Sequence, residues 1–591
     1  MTQRRDERQS HRGQYTGRAS RVGADGKIAA MSSFSTRGWL VAGALVLTAA
    51  ATVPTAQTPA RRASAGLPLQ SVSADRLVAH TRFLADDLFE GRAPGSRGGD
   101  LAARYIATQF ALLGLEPAAG DGTYFQPVPI VEAAIDAAGT SLQARGPKGQ
   151  RAFTMGKDLA LLASVEAPSV SLDADVVFVG HGIVAPEFTW NDYAGVDVKG
   201  KVVMAMVNDP PATADEPTLF DGKALTYYGR WTYKYEEAAR QGAAGMILVH
   251  TEASATYPFG VVLSTTVGEQ VFLPAAPGAG VLQLKSWLTE EASTALVALG
   301  GHDLKALQAR ALTRGAPAVP LGVKVSLRVQ QKTTRKTSPN VVARWAGQRT
   351  DEAIIYSAHY DHMGRRETTD GSDGIWNGAR DNASGVAALL ELARLYSTAG
   401  TKPGRSVLFL ATTAEERGLL GSEYFAQRSP FPVDKLAANI NVDSMNVYGS
   451  NASFVLLGAD RTDALSLVQQ VAKAQGRQVG QDTHPERGYF FRSDHFPLAK
   501  AGVPAFSLTL GDPSGFRGPR AEKARALSEA YNATHYHQPS DQSSPEWDWT
   551  GAVEDVRLAG ELGWRIAAQP RMPAYKAGDQ FAQPRSGKGG R

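Results

Sequence analysis

Between residues 333 and 568 short, mostly apolar runs alternate with segments whose apolar residues recur at helical spacing. Residues 353–358, 406–411, 438–442 and 504–508 are of strand length, and their composition predicts buried strands. Residues 385–396 and 464–474 repeat apolar side chains every three to four positions, which predicts helices. The alternation predicts an α/β fold with a mostly parallel sheet flanked by helices on both faces. In such sheets ligands gather beyond the carboxyl ends of the strands. Upstream, Leu101, Tyr105, Ile106, Phe110 and Leu113 share one face of a helix, after the turn Gly91-Arg92-Ala93-Pro94-Gly95. A last helix is predicted over residues 550–568. The basic, Gly- and Pro-containing tail, residues 569–591, is expected to lack fixed structure.

The texture changes over residues 131–332. Short β-rich runs at 176–179 and 202–206 are separated by Gly, Pro and Asp. A helical stretch at 233–240 leads through Gly242-Ala243-Ala244-Gly245 into a strand at 246–249. Its histidines (His181, His250, His302) are isolated, so the segment is expected to be a β-rich inserted domain without core chemistry. The flanking segments, 71–130 and 333–568, would form one catalytic domain.

The N-terminus has the order of a secretory signal: polar and basic residues 1–38, an apolar run at 39–53, then small residues to Thr55-Ala56-Gln57. The run is shorter than the roughly 20 residues a bilayer span needs. Cleavage near Ala56 is expected, with export to the periplasm or the medium; an uncleaved anchor is the alternative. Residues 57–70 would be a linker, and no stable membrane insertion is expected after cleavage.

Composition narrows the chemistry. The sequence contains no cysteine, which excludes disulfides, thiolate zinc sites and cysteine nucleophiles. Histidine and carboxylate are left as the strong metal ligands. The net charge of +4 lies partly in arginine-rich ends, so no nucleic-acid partner is expected. Five polar clusters stand out, most of them just after predicted strands: His359-Tyr360-Asp361-His362, Asp381-Asn382-Ala383-Ser384-Gly385, Glu415-Glu416, Asp443, and Tyr536-His537-Gln538-Pro539-Ser540-Asp541. Singly each is weak. Together they offer imidazoles and carboxylates on the loops of one α/β unit, an inventory that suits two zinc ions sharing a carboxylate.

The order of these clusters resembles metallopeptidase family 28, which includes bacterial leucyl aminopeptidases, aminopeptidase Y and glutamate carboxypeptidase II. The stretch Asp192-Tyr193-Ala194-Gly195-Val196-Asp197-Val198-Lys199-Gly200-Lys201 and residues 242–249 resemble the protease-associated domain inserted in many members. The resemblance implies two zinc ions per chain. His359 and Asp443 would bind one, Glu416 and His537 the other, and Asp381 would bridge. Glu415 would be the general base acting on a hydroxide shared by the metals, and the peptide after Asp381 would be cis. Asp361 would orient His359, and Asp541 would orient His537. His362 and His535 lie beside the proposed ligands as alternatives. The segment Arg492-Ser493-Asp494-His495 also resembles the family, with no role assigned. The expected activity is an exopeptidase acting on peptides with a free terminus, most simply an aminopeptidase. A carboxypeptidase of the glutamate carboxypeptidase type, a glutaminyl cyclase-like acyltransferase and a non-catalytic receptor-like scaffold are the alternatives. The insert is expected to narrow access to the site.

Overall fold

The computed structural model describes residues 66–582 except Thr256 and Val267. The apolar run at 39–53, expected to be a signal, lies outside the described residues. Helices α1 (Ala74–Leu84) and α2 (Arg97–Leu112) come first. The side chain of Ser96 accepts from Gly99 N–H at 3.1 Å and so starts α2. Strand β1 (Phe125–Gly146) then leaves for the insert, which holds β2 (Ser169–Phe178), β3 (Val202–Met206), α3 (Trp231–Arg240), β4 (Gly245–Val249) and β5 (Leu284–Leu288). The long strand β6 (Val319–Trp345) returns. The C-terminal part follows with β7 (Arg349–His359), α4 (Ser384–Ser397), β8 (Arg405–Thr412), β9 (Leu436–Val442), β10 (Ser453–Leu457), β11 (Gln478–Gly480), β12 (Ala505–Leu510), α5 (Ala521–Thr534) and α6 (Thr550–Ala568).

These strands form one sheet, in the order β11-β10-β12-β9-β7-β8-β6-β2-β3-β4-β5. Strand β7 runs parallel to both β8 and β9, and β9 is parallel to β12. Residues 353–359 and all of β8 and β9 are buried, as a central parallel sheet covered on both faces requires. Helices α1, α2, α4 and α6 cover one face through Leu77, Ile106, Phe110, Leu389, Leu392 and Leu562.

The β-rich insert does not build its main strands into a sheet of their own. Its strands β2, β3, β4 and β5 are parallel to one another and continue the same sheet. Strands β1 and β6 pair antiparallel from Phe125↔Val341 to Arg145↔Lys324, with one register shift between Arg328 and Gln330. The expected boundaries at 131 and 333 therefore fall inside strands, where the backbone ladder carries the sheet through. The insert also shares an aromatic core with the C-terminal part. The Tyr227 ring lies 4.8 Å from Phe496, 6.0 Å from Phe491 and 6.5 Å from Phe581.

Two terminal expectations need correction. Residues 570–582 are packed, because Phe581 is buried in that aromatic core and the Asp579 carboxylate pairs with Arg461 at 2.9 Å. At the other end the linker stops short of residue 70, since Leu67 is buried and Leu69 packs on the main core. In both places a few apolar side chains find the core despite polar surroundings in the sequence. No helix among the described residues is long and apolar enough to cross a membrane.

Candidate metal centre

The carboxyl ends of three neighbouring strands carry most of the site. His359 is the last residue of β7, Asp443 follows β9 directly, and Glu415 and Glu416 lie three and four residues beyond β8. Asp381 sits in the turn that opens α4, and His537 lies just after α5. The fold thus brings together residues spread over 178 positions of sequence.

Asp381 lies at the centre. Its Oδ1 is 3.2 Å from His359 Nε2, and its Oδ2 is 3.5 Å from His537 Nε2. Asp443 Oδ1 is 3.3 Å from the same His359 nitrogen, and Glu416 Oε2 is 3.0 Å from His537 Nε2. Two sets, His359-Asp381-Asp443 and His537-Asp381-Glu416, therefore share one carboxylate. Asp381 Oδ1 is sealed from solvent yet meets no donor in hydrogen-bond geometry. Oxygen and imidazole nitrogen atoms converging this way fit zinc better than they fit one another. His362 joins the second set, with its Nδ1 2.6 Å from Glu416 Oε1 and its ligand atom clustered with those of Asp381 and Glu416. His535 stays outside, paired with Ser540 Oγ at 2.9 Å on the exposed side.

The protein surrounds this acidic centre with compensating charge. Burial works against protonation of His359, but the carboxylates of Glu415, Asp443 and Asp381 outweigh it and hold the imidazole well above its usual range. His537 is likewise raised to about 10, with Asp381 and Glu416 overcoming desolvation. Burial opposes ionisation of Glu416 as well, yet His362 and His537 bring it down to about 2. Beneath the site Arg92, 1% exposed, donates to the carbonyls of Leu84, Tyr360, Asn377 and Gly378. Burial lowers it to about 10, opposed by the charges of Asp361, Asp541, Asp381 and Glu416.

The motif Asp381-Asn382-Ala383-Ser384-Gly385 has a local logic. Asn382 Oδ1 accepts from Gly385 N–H and from Ser444 N–H, both at 3.0 Å, and its Nδ2 donates to the Val442 carbonyl at 3.1 Å. Ser384 Oγ accepts from Met445 N–H at 3.0 Å. The turn carrying Asp381 is thereby fastened to the loop carrying Asp443. A Cβ at position 385 would sit 2.0 Å from Asn382 Oδ1, so glycine is required there. The Asp381–Asn382 peptide is cis.

Two supporting carboxylates act differently from expectation. His359 Nδ1 meets the backbone carbonyl of Asp361 at 3.2 Å, whereas the nearest Asp361 carboxylate oxygen is 3.9 Å away. That carboxylate instead accepts from the N–H groups of Glu415 at 3.0 Å and Glu416 at 3.4 Å, fixing the Glu-Glu turn. Asp541 accepts from Arg380 N–H at 3.1 Å, Asp381 N–H at 3.0 Å and Tyr531 O–H at 3.0 Å, and has no bond to His537. In both cases a short side chain on a tight turn reaches backbone donors before it reaches a ring. His537 is braced by Tyr536, stacked on it at 3.8 Å.

The segment left without a role acquires one. Ser493 Oγ donates to Asp443 Oδ2 at 2.7 Å and accepts from Asn441 Nδ2 at 2.8 Å. The neighbouring Asp494 accepts from Thr412 Oγ1 at the end of β8. Tyr531 and Arg92 had no sequence signal beyond residue type, since their roles depend on contacts with residues far along the chain.

Residues 340–559 match the profile of peptidase family M28. Among curated proteins, the leupeptin-inactivating enzyme 1 of Streptomyces exfoliatus is 29% identical over 206 residues, 35% of this chain and 43% of that protein. Aminopeptidase YwaD of Bacillus subtilis (strain 168) is 27% identical over 186 residues, 30% of this chain and 37% of that protein. The chain thus matches less than half the length of either relative. Among solved structures, an aminopeptidase from Aneurinibacillus sp. strain AM-1 aligns at 21% identity and a TM-score of 0.45, covering 85% of this chain and 96% of that one.

Proposed function

We propose that this chain is an exported two-zinc exopeptidase that removes residues from the amino terminus of peptides. The observation carrying the reading is Asp381, whose two oxygens face two separate imidazoles, each accompanied by a further carboxylate. His359 and Asp443 would hold one zinc, Glu416 and His537 the other, with Asp381 between them. Bound there, zinc supplies electrophilic activation of the scissile carbonyl and acidifies water.

Glu415 is the residue assigned to proton transfer in this reading. Its backbone is held by Asp361, and its carboxylate has no hydrogen-bond partner among the described residues. Burial pushes its carboxyl well above the ordinary range, with Asp443 and Glu416 adding to the shift against the pull of His359. In this reading it takes a proton from the attacking water and returns it to the leaving amine. Amino-terminal cleavage follows from the resemblance to aminopeptidases of the family, and export from the signal-like run at 39–53. A panel of aminoacyl-nitroanilides and carboxyl-terminal reporter peptides tests the direction of cleavage. Release of nitroaniline only after prior chelation of all metal, or cleavage from the carboxyl terminus alone, would contradict the reading.

A further inference from the structure

His537 is the exposed member of the second ligand set. Its side chain is 32% open to solvent, against 5% for Asp381 and 3% for Glu416. An open imidazole is free to change rotamer unless its surroundings hold it. His359 in the first set is 1% exposed, and its Nδ1 meets the Asp361 carbonyl at 3.2 Å. Metal-binding histidines are ordinarily oriented in that way, through the ring nitrogen turned away from the metal. His537 differs. Both of its close carboxylate contacts are made by Nε2, and among the described residues no group bonds its Nδ1.

The backbone of His537 is held instead. Trp376 Nε1 donates to the His537 carbonyl at 3.0 Å, across 161 residues of sequence. Among the described residues no other hydrogen bond reaches the His537 backbone. That backbone stands at φ 57°, in the left-handed region, a conformation disfavoured for a residue with a Cβ and kept in place by contacts around it.

Trp376 stands on a rigid base. It pairs with Gly364 in a two-stranded hairpin, and the Arg366 guanidinium lies over its ring, 4.9 Å from the centroid. The following Asn377, 2% exposed, donates through Nδ2 to the Ala85 carbonyl at 2.8 Å and to Asp87 Oδ1 at 2.7 Å. The carbonyls of Asn377 and Gly378 accept from the buried Arg92 at 2.6 and 2.9 Å. Three residues beyond Gly378 the same segment presents Asp381. One short, anchored stretch therefore carries one ligand of the second set and tethers another.

We propose that Trp376 is the positioning residue for His537: its indole N–H fixes the His537 carbonyl and, through it, the place where the imidazole meets Asp381 and Glu416. The assignment rests on the two-zinc reading above. The second metal site then depends on a group outside both ligand sets, whereas the first, built on His359, does not.

Titration of zinc-loaded protein with a chromogenic chelator tests this in wild type and in two single-site backgrounds. Trp376→Phe keeps a ring and removes the donor. In Asp443→Ala, which leaves the second set intact, adding Trp376→Phe should weaken the remaining zinc at least ~10-fold, the scale of a lost supporting bond. In His537→Ala, which leaves the first set intact, the same addition should change the remaining zinc by less than about twofold, since the tether no longer has a ligand to hold. For Trp376→Phe alone, the zinc concentration giving half-maximal hydrolysis of leucine nitroanilide should rise at least ~10-fold, with turnover at saturating zinc near wild type. Equal loss in both backgrounds would make Trp376 a general packing residue and overturn the proposal, as would no loss in either. Two zinc ions and peptide hydrolysis together with either of those results would leave the peptidase reading standing without the tether. The expected difference between backgrounds without hydrolysis of any peptide would sustain the tether and refute the peptidase reading.

Discussion

The Asp541 carboxylate holds Asp381 across 160 residues of sequence, its Oδ2 accepting the Asp381 N–H at 3.0 Å. The same carboxylate takes the Arg380 N–H and the Tyr531 hydroxyl, so it fixes the backbone of the turn that presents Asp381, the candidate shared ligand. Supporting groups of this kind are worth about 10–100-fold in metal affinity. Asp541→Asn keeps the shape but turns one acceptor into a donor aimed at backbone N–H groups. Its zinc affinity, measured by competition with a chromogenic chelator, should fall by roughly that factor. If Asp541 oriented His537 instead, Tyr531→Phe would leave affinity untouched; removal of the Tyr531–Asp541 bond is expected to lower it measurably.

Glu415→Gln separates proton transfer from metal binding. Glu415 is absent from the two ligand sets, so zinc content and thermal stability should stay at wild-type values. Turnover should fall at least ~10²-fold, the scale for losing a general acid–base. Turnover near wild type would show that another group moves the proton.

The packed tail gives a stability test. Phe581 lies in the aromatic core with Tyr227, Phe490 and Phe496, and Asp579 pairs with Arg461. Phe581→Ala should cost about 3–5 kcal/mol, the usual scale for emptying an aromatic core position. Denaturant titration checks it, and a loss under 1 kcal/mol would mean that the tail is not part of the fold.

Acid should unfold the protein through buried histidines outside the two candidate ligand sets. Burial depresses His181 in the insert and His495 in the C-terminal part to about 3, and Lys234 lowers His181 further. The unfolded chain takes up these protons near pH 6.5, whereas the folded chain resists down to about pH 3. Stability from this source is complete above pH 6.5 and is lost as pH falls towards 3, with a slope of about 1.4 kcal/mol per pH unit for each ring. His495→Phe should show a shallower fall of melting temperature between pH 6 and pH 4 than wild type; an identical slope would contradict the assignment.

Much of the C-terminal sheet was legible because its strands are buried on both faces. Residues 406–411 and 353–358 could be recognised from composition alone, and helix α6 matches the expected span at both ends. Three of the ligand clusters were legible for a related reason: His359, Glu415-Glu416 and Asp443 lie at or just beyond the ends of strands that already announce themselves. The junction was not. Strands β1 and β6 run on through 131 and 333, so no end of an element marks the point where one part becomes the other. The acceptors chosen by Asp361 and Asp541 were equally hidden, since a carboxylate near a histidine in sequence can bond either the ring or the backbone, and only tertiary geometry decides.

The central claim is that Asp381 is shared by two metal sites, and zinc counting tests it most directly. Elemental analysis of dialysed protein should find about two zinc ions per chain in wild type, and removal by chelator should abolish peptide hydrolysis until zinc is restored. Asp443→Ala and His537→Ala should each lower the count by about one, whereas Asp381→Ala should lose both. A single zinc in wild type, unaffected by His537→Ala, would contradict the account, as would full hydrolysis by the metal-free protein.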